Sequence, residues 1–112
     1  MENLELLKRI EEFAKTIYPM LKNFPKAEKF AMCSEIKINL YNLYQFTYRA
    51  KFVKSKRLCY LQESEGYLAT LRFILKLARE NKYISMGAYK EIDLSLTEIS
   101  KMLSGYIKSS VK

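Results

Sequence analysis

The sequence predicts an all-α domain, an up-down-up-down four-helix bundle, and three observations point to it. Apolar residues recur with the 3.6-residue helical period rather than alternating. Breakers are scarce: three glycines and two prolines in 112 residues, with Pro19 and Pro25 bracketing the first break and Gly87 just inside the last helix. Apolar residues make up 49% of the chain, and a chain of this length buries roughly two-thirds of its unfolded surface, so residues 1–112 suit one domain with one core.

The first helix is expected from about Asn3 to Tyr18, with Leu7, Ile10, Ala14, Ile17 and Leu21 on one face. Pro19 should end or kink it, because proline lacks the backbone donor and clashes with the preceding turn. Asn23-Phe24-Pro25 then leads into a second helix, with Pro25 near its first position, running to about Lys54. Its core stripe is Cys33, Ile36, Leu40, Leu43, Thr47 and Ala50. A third helix covers about Lys56 to Lys82, with Leu61, Leu68, Leu71, Leu75 and Ala78 inward. Gly66 inside it suggests close helix packing, since glycine there costs about 1 kcal/mol against alanine. Ser85 is the expected N-cap of the fourth helix, whose stripe is Ile92, Leu96, Ile99, Leu103 and Tyr106. Short connections between four helices give the up-down-up-down order.

Composition excludes much. There is no histidine, so Cys–His and Ser–His nucleophile pairs are impossible and the commonest metal ligand is missing. Cys33 and Cys59 form neither a CxxC pair nor a zinc knuckle, and both are expected as small hydrophobes on helices. Glu11/Glu12 and Glu63/Glu65 sit among lysines at helical spacing, as solvated faces do. We therefore expect no enzyme, no cofactor and no metal. No stretch reaches the ~20 apolar residues of a membrane span. The start, Met1-Glu2-Asn3-Leu4-Glu5, lacks the order of a signal peptide, so a cytoplasmic protein is the simplest reading.

Two features exceed a plain bundle. Rotated by about a third of a turn from the core stripe of the second helix lie Phe30, Tyr41, Tyr44, Tyr48 and Phe52. These rings fit either a bundle margin with hydroxyls in water or, the reading favoured here, a homo-oligomer interface. The second feature is charge. The net charge is +8 at pH 7, and acids and bases cancel up to Glu35. Between Ile36 and Gln62 stand Lys37, Arg49, Lys51, Lys54, Lys56 and Arg57 with no acid. Arg72, Lys76 and Arg79 follow at i, i+4, i+7 on the third helix, expected on an exposed face where glutamate substitutions would leave the fold intact. A basic run is often only solvated surface. The lack of acids favours a phosphate-binding surface without base readout, hence RNA or DNA bound with little sequence preference.

Phe24-Pro25-Lys26 followed by Phe30, then Tyr48-Arg49-Ala50, resemble the accessory variability determinant (Avd) proteins of diversity-generating retroelements. So do Leu68-x-x-Leu71-Arg72-x-x-Leu75-x-Leu77-Ala78 and Ile99-x-x-Met102-Leu103-Ser104-Gly105-Tyr106. The similarity covers about Asn23 to Ile107 and rests on the order and spacing of these motifs together. The family often closes with Gly-Gly-Trp where this chain has Ser104-Gly105-Tyr106. The resemblance implies a four-helix bundle assembled into a pentameric ring, working beside a reverse transcriptase as it copies template RNA into mutagenized cDNA. The alternative is the related family encoded in intervening sequences of bacterial large-subunit rRNA genes, acting as a structural or interaction protein. That family carries Asn-Ile-Ala-Glu-Gly where this chain reads Phe46-Thr47-Tyr48-Arg49-Ala50, which favours the Avd resemblance.

Overall fold

The computed structural model describes residues 2–111, which form four α-helices: α1 (Glu2–Leu21), α2 (Met32–Phe52), α3 (Arg57–Glu80) and α4 (Met86–Ser110). Each helix packs beside two others: α1 and α3 both contact α2 and α4. The result is an antiparallel bundle 45 Å long and 25 × 19 Å across. No described helix is long and apolar enough to cross a membrane.

The core follows the expected stripes. Cys33, Ile36, Leu40, Leu43, Thr47 and Ala50 of α2 are buried, as are Leu61, Leu68, Leu71, Leu75 and Ala78 of α3 and the whole α4 stripe. On α1, Leu7, Ile10, Ile17 and Leu21 are buried and Ala14 packs against the core from its edge. Leu6 and Phe13 are buried too, because a helix with two neighbours needs a wide apolar arc. Ser64 was not part of any expected stripe, yet it is fully buried. Its hydroxyl donates to the Tyr60 carbonyl at 3.1 Å, so Thr47 is the donor in the 3.1 Å Thr47–Ser64 bond that ties α2 to α3. Ser85 caps α4 as expected, accepting from the Ala88 N–H at 3.2 Å.

Four expectations need correction. Pro19 does not end α1 on the spot; the helix runs two residues further. Proline forfeits a single intrahelical bond, towards exposed Lys15, and i→i+3 bonds from Lys22, Asn23 and Phe24 tighten the closing turn. Helix α2 does not start at Pro25: a 3-10 turn, Lys26–Glu28, comes first and α2 begins at Met32. That detour lets Phe24 bury itself and brings Lys29 Nζ back onto the Leu21 and Lys22 carbonyls at 2.7 and 2.8 Å. Gly66 marks no close packing, since a Cβ there would meet nothing within 4 Å. Of the cysteines, only Cys33 is a buried hydrophobe; Cys59 is exposed in the first turn of α3.

Polar ties hold the helices in register. Arg9 bonds Glu98 of α4 as well as Glu5 of its own helix, and both carboxylates push its pKa up. At one end of the bundle, Phe24 and Tyr83 rings meet at 5.5 Å and the Tyr83 hydroxyl donates to Glu28 at 3.2 Å, joining the α1–α2 and α3–α4 connections. At the other end, the Tyr106 hydroxyl donates to the Ala50 carbonyl at 3.5 Å, joining the α4 C-terminus to that of α2.

Candidate nucleic-acid interface

The part of the acid-free segment from Arg49 to Arg57 forms that second end. Helix α2 stops at Phe52, Val53 turns the chain, a 3-10 turn spans Lys54–Lys56, and α3 starts at Arg57. The missing acids matter here because the C-terminal carbonyls of α2 attract cations. Arg57 answers that need directly. Its Nε donates to the Ala50 carbonyl at 2.7 Å and its second nitrogen to Lys51 at 2.9 Å, with the guanidinium 5.8 Å over the Tyr106 ring. Arg57 is thus half-buried and acts as the cap of α2.

The other cations of the cluster stay at the surface. Lys54 and Lys56 are exposed. Exposed Arg49 lies 5.2 Å from the Phe46 ring and 6.0 Å from Tyr60. Lys51 Nζ sits 5.2 Å over Phe52. Phe46 also contacts Tyr60 and Tyr67 with ring centroids 5.7 and 5.5 Å apart. Sequence reading missed this ring cluster beside Arg49, though the i, i+3 spacing of Phe46 and Arg49 was available as a signal. Such a patch offers phosphate-binding charge next to flat apolar surface, the combination that suits flexible polyanions.

The trio on α3 does not form an exposed basic face. Arg72 is half-buried and donates to Asp93 at 3.0 Å and Thr97 at 3.3 Å, both on α4. Arg79 donates to the Ile84 carbonyl at 2.9 Å, closing the α3–α4 connection. Only Lys76 is fully exposed. The i, i+4, i+7 spacing does place the three on one stripe, but that stripe borders α4. Glutamates there would strike structural contacts, contrary to the expectation above.

The aromatic stripe also changes. Phe30 is 97% exposed and lies outside α2, in the turn before it. The remaining four rings do share α2: Tyr44 and Tyr48 stack at 6.3 Å, and Tyr48 meets Phe52 at 4.9 Å. Tyr41, Tyr48 and Phe52 are exposed, and Tyr41 shares a hydrogen bond with Tyr18 of α1. Tyr44 is half-buried, with its hydroxyl donating to Glu11 at 3.2 Å; burial first, then that carboxylate, raises its pKa. Ile10, Ala14, Leu40, Tyr41 and Tyr44 line an apolar groove of about 280 Å³ between α1 and α2. Burial also raises the Cys33 pKa, with Lys29 and Lys37 opposing the shift.

Comparison with curated proteins gives no match. Among solved structures, the crystal structure of a protein with unknown function from the S23 ribosomal protein family of Bacteroides thetaiotaomicron superposes with a TM-score of 0.84. The superposition covers 96% of this chain and 99% of that one at 22% sequence identity, a likeness that speaks for the fold alone. The family model described as bAvd-like matches residues 4–110. With that match covering all but the first two residues of the four helices, the chain belongs to the bAvd-like family.

Proposed function

We propose that this protein is a non-catalytic accessory subunit of a diversity-generating retroelement, binding both the reverse transcriptase and RNA or DNA in support of mutagenic copying. Family membership supports the retroelement role. The observation that carries the binding role is the α2–α3 end, where Arg49, Lys54 and Lys56 are exposed, Lys51 is half-buried beside Phe52 and no acid occurs between Ile36 and Gln62. Arg57 caps α2 beneath that surface, whereas Arg72 and Arg79 hold α3 to α4 and to the connection between them, and exposed Lys76 lies towards that opposite end. The protomer assembles into a homo-oligomer, a pentameric ring, through the α2 rings Tyr41, Tyr44, Tyr48 and Phe52. Ring symmetry repeats the basic cluster about one axis and turns a local charge into a broad positive field.

Co-purification with the reverse transcriptase encoded at the same locus tests the reading. Wild type should co-elute with the enzyme, and its RNA affinity should drop steeply with salt through counterion release. Replacing Lys54 and Lys56 with glutamate should weaken RNA binding roughly tenfold or more at 0.15 M salt, since two phosphate contacts are lost and two repulsions gained. A protein that ignores both the enzyme and RNA favours the alternative, a structural or interaction protein like those of the rRNA-intervening family.

A further inference from the structure

Phe30 is 97% exposed although the backbone on both sides of it is tightly held. Glu28 and Ala31 N–H groups bond the Pro25 and Glu28 carbonyls at 2.9 and 3.2 Å. Lys29 anchors the same turn to the α1 C-terminus, and Phe24 is buried against Tyr83. The exposure is therefore a property of the folded turn and not of a loose loop. A single exposed ring is ordinary on a protein surface; what sets Phe30 apart is the surface beside it.

Beside the ring lies a hollow of about 460 Å³, with Tyr18 and Leu21 on its wall and Lys22, Lys29 and Lys37 around it. No carboxylate lines it. Lys37 Nζ sits 5.2 Å over the Tyr18 ring, and Lys29 keeps one of its three N–H donors after bonding the Leu21 and Lys22 carbonyls. The one acid of the turn, Glu28, accepts from Tyr83. An exposed flat ring beside unopposed ammonium groups matches an unpaired nucleotide: a base face for the ring and phosphates for the lysines. A duplex has no free base face to offer.

We infer that Phe30 and the lysine-rimmed hollow beside it bind single-stranded RNA or DNA by stacking an unpaired base, at the end of the bundle opposite the α2–α3 basic cluster. This site rests on the nucleic-acid reading above and adds to it a preference for unpaired strands at a second location. Of the α2 rings assigned to assembly, Tyr41 bonds Tyr18 on the wall of this hollow, while Tyr44, Tyr48 and Phe52 lie further along α2.

The chain has no tryptophan, so Phe30→Trp installs a single reporter at the site. Adding oligo(dT) or poly(U) should quench its fluorescence, and a duplex of equal length should quench it far less. Phe30→Ala should weaken single-strand binding roughly 5- to 150-fold, the range for loss of one stacked base, with duplex binding changed little. Unchanged circular dichroism and thermal midpoint are expected for both variants, since the ring contacts water. If Lys54→Glu/Lys56→Glu weakens RNA binding while Phe30→Ala does not, the stacking site fails and the basic-cluster reading stands. Tryptophan emission that shifts with protein concentration alone, or with anionic vesicles and not oligonucleotides, also overturns it by naming a second copy or a lipid surface as the occupant. Wild type that binds no nucleic acid overturns both readings.

Discussion

At Lys82 the backbone takes φ of 63°, the only positive value at a non-glycine residue among those described. The residue follows α3, and its neighbour Tyr83 sends its N–H back to the Ala78 carbonyl at 2.9 Å, closing the helix. That position favours glycine, which has no Cβ to crowd the carbonyl. Lys82→Gly should raise unfolding free energy by roughly 0.5–1 kcal/mol. A urea midpoint that falls, at unchanged slope, would contradict this. The arginines make the complementary case. Arg72→Glu places a carboxylate against Asp93 and should cost roughly 1 kcal/mol, kept small because the pair is partly exposed, and less still at high salt. Lys54→Glu/Lys56→Glu should stay within about 0.5 kcal/mol of wild type, as surface substitutions do. Urea melts of the two variants, run beside RNA titrations, separate architecture from binding.

Helices α3 and α4 show how far periodicity reaches. Every expected core residue of both is buried, because a 25-residue stripe repeats its signal many times and chance cannot easily reproduce it. Single residues are harder to place. Gly66 read as a sign of close packing, yet its Cα faces open space within the protomer. Gly66→Ala should therefore raise thermal stability by about 0.5–1 kcal/mol, the helix propensity difference, without any clash to offset it. A drop in stability that grows with protein concentration would instead show that another chain approaches α3 there. Connections were legible in position and not in form. Asn23-Phe24-Pro25 announced a break, but the 3-10 turn and the late start of α2 follow from Phe24 finding Tyr83 and Lys29 finding the end of α1. Those partners are far along the chain or across a turn, and no local pattern encodes them.

For the whole molecule, the proposed assembly surface yields one further expectation. Light scattering at micromolar concentration should give a multiple of the 13.3 kDa protomer mass. Tyr48→Lys together with Phe52→Lys should reduce it to the protomer, since both rings are exposed on one strip and neither contributes to the core. A wild-type mass of one protomer sinks the interface. The fold class, the four helices, the main stripe of each inward face and the Ser85 cap were readable from residue order, because each depends on interactions within a few residues or on a repeating apolar face; Leu6, Phe13 and Ser64, buried at the margins of those stripes, were not. Charge was readable as a total and as an acid-free segment. Which cations remain available to a partner was not. Arg57, Arg72 and Arg79 look like Lys54 and Lys56 in the sequence, but each reaches a carbonyl or carboxylate brought near by packing. Phe30 and Phe24 look alike as well, and one lies in water while the other is 3% exposed. Periodicity tells a helix which face to bury; only the neighbouring helices determine which polar side chains at the edge of that face find partners and which are left for another molecule.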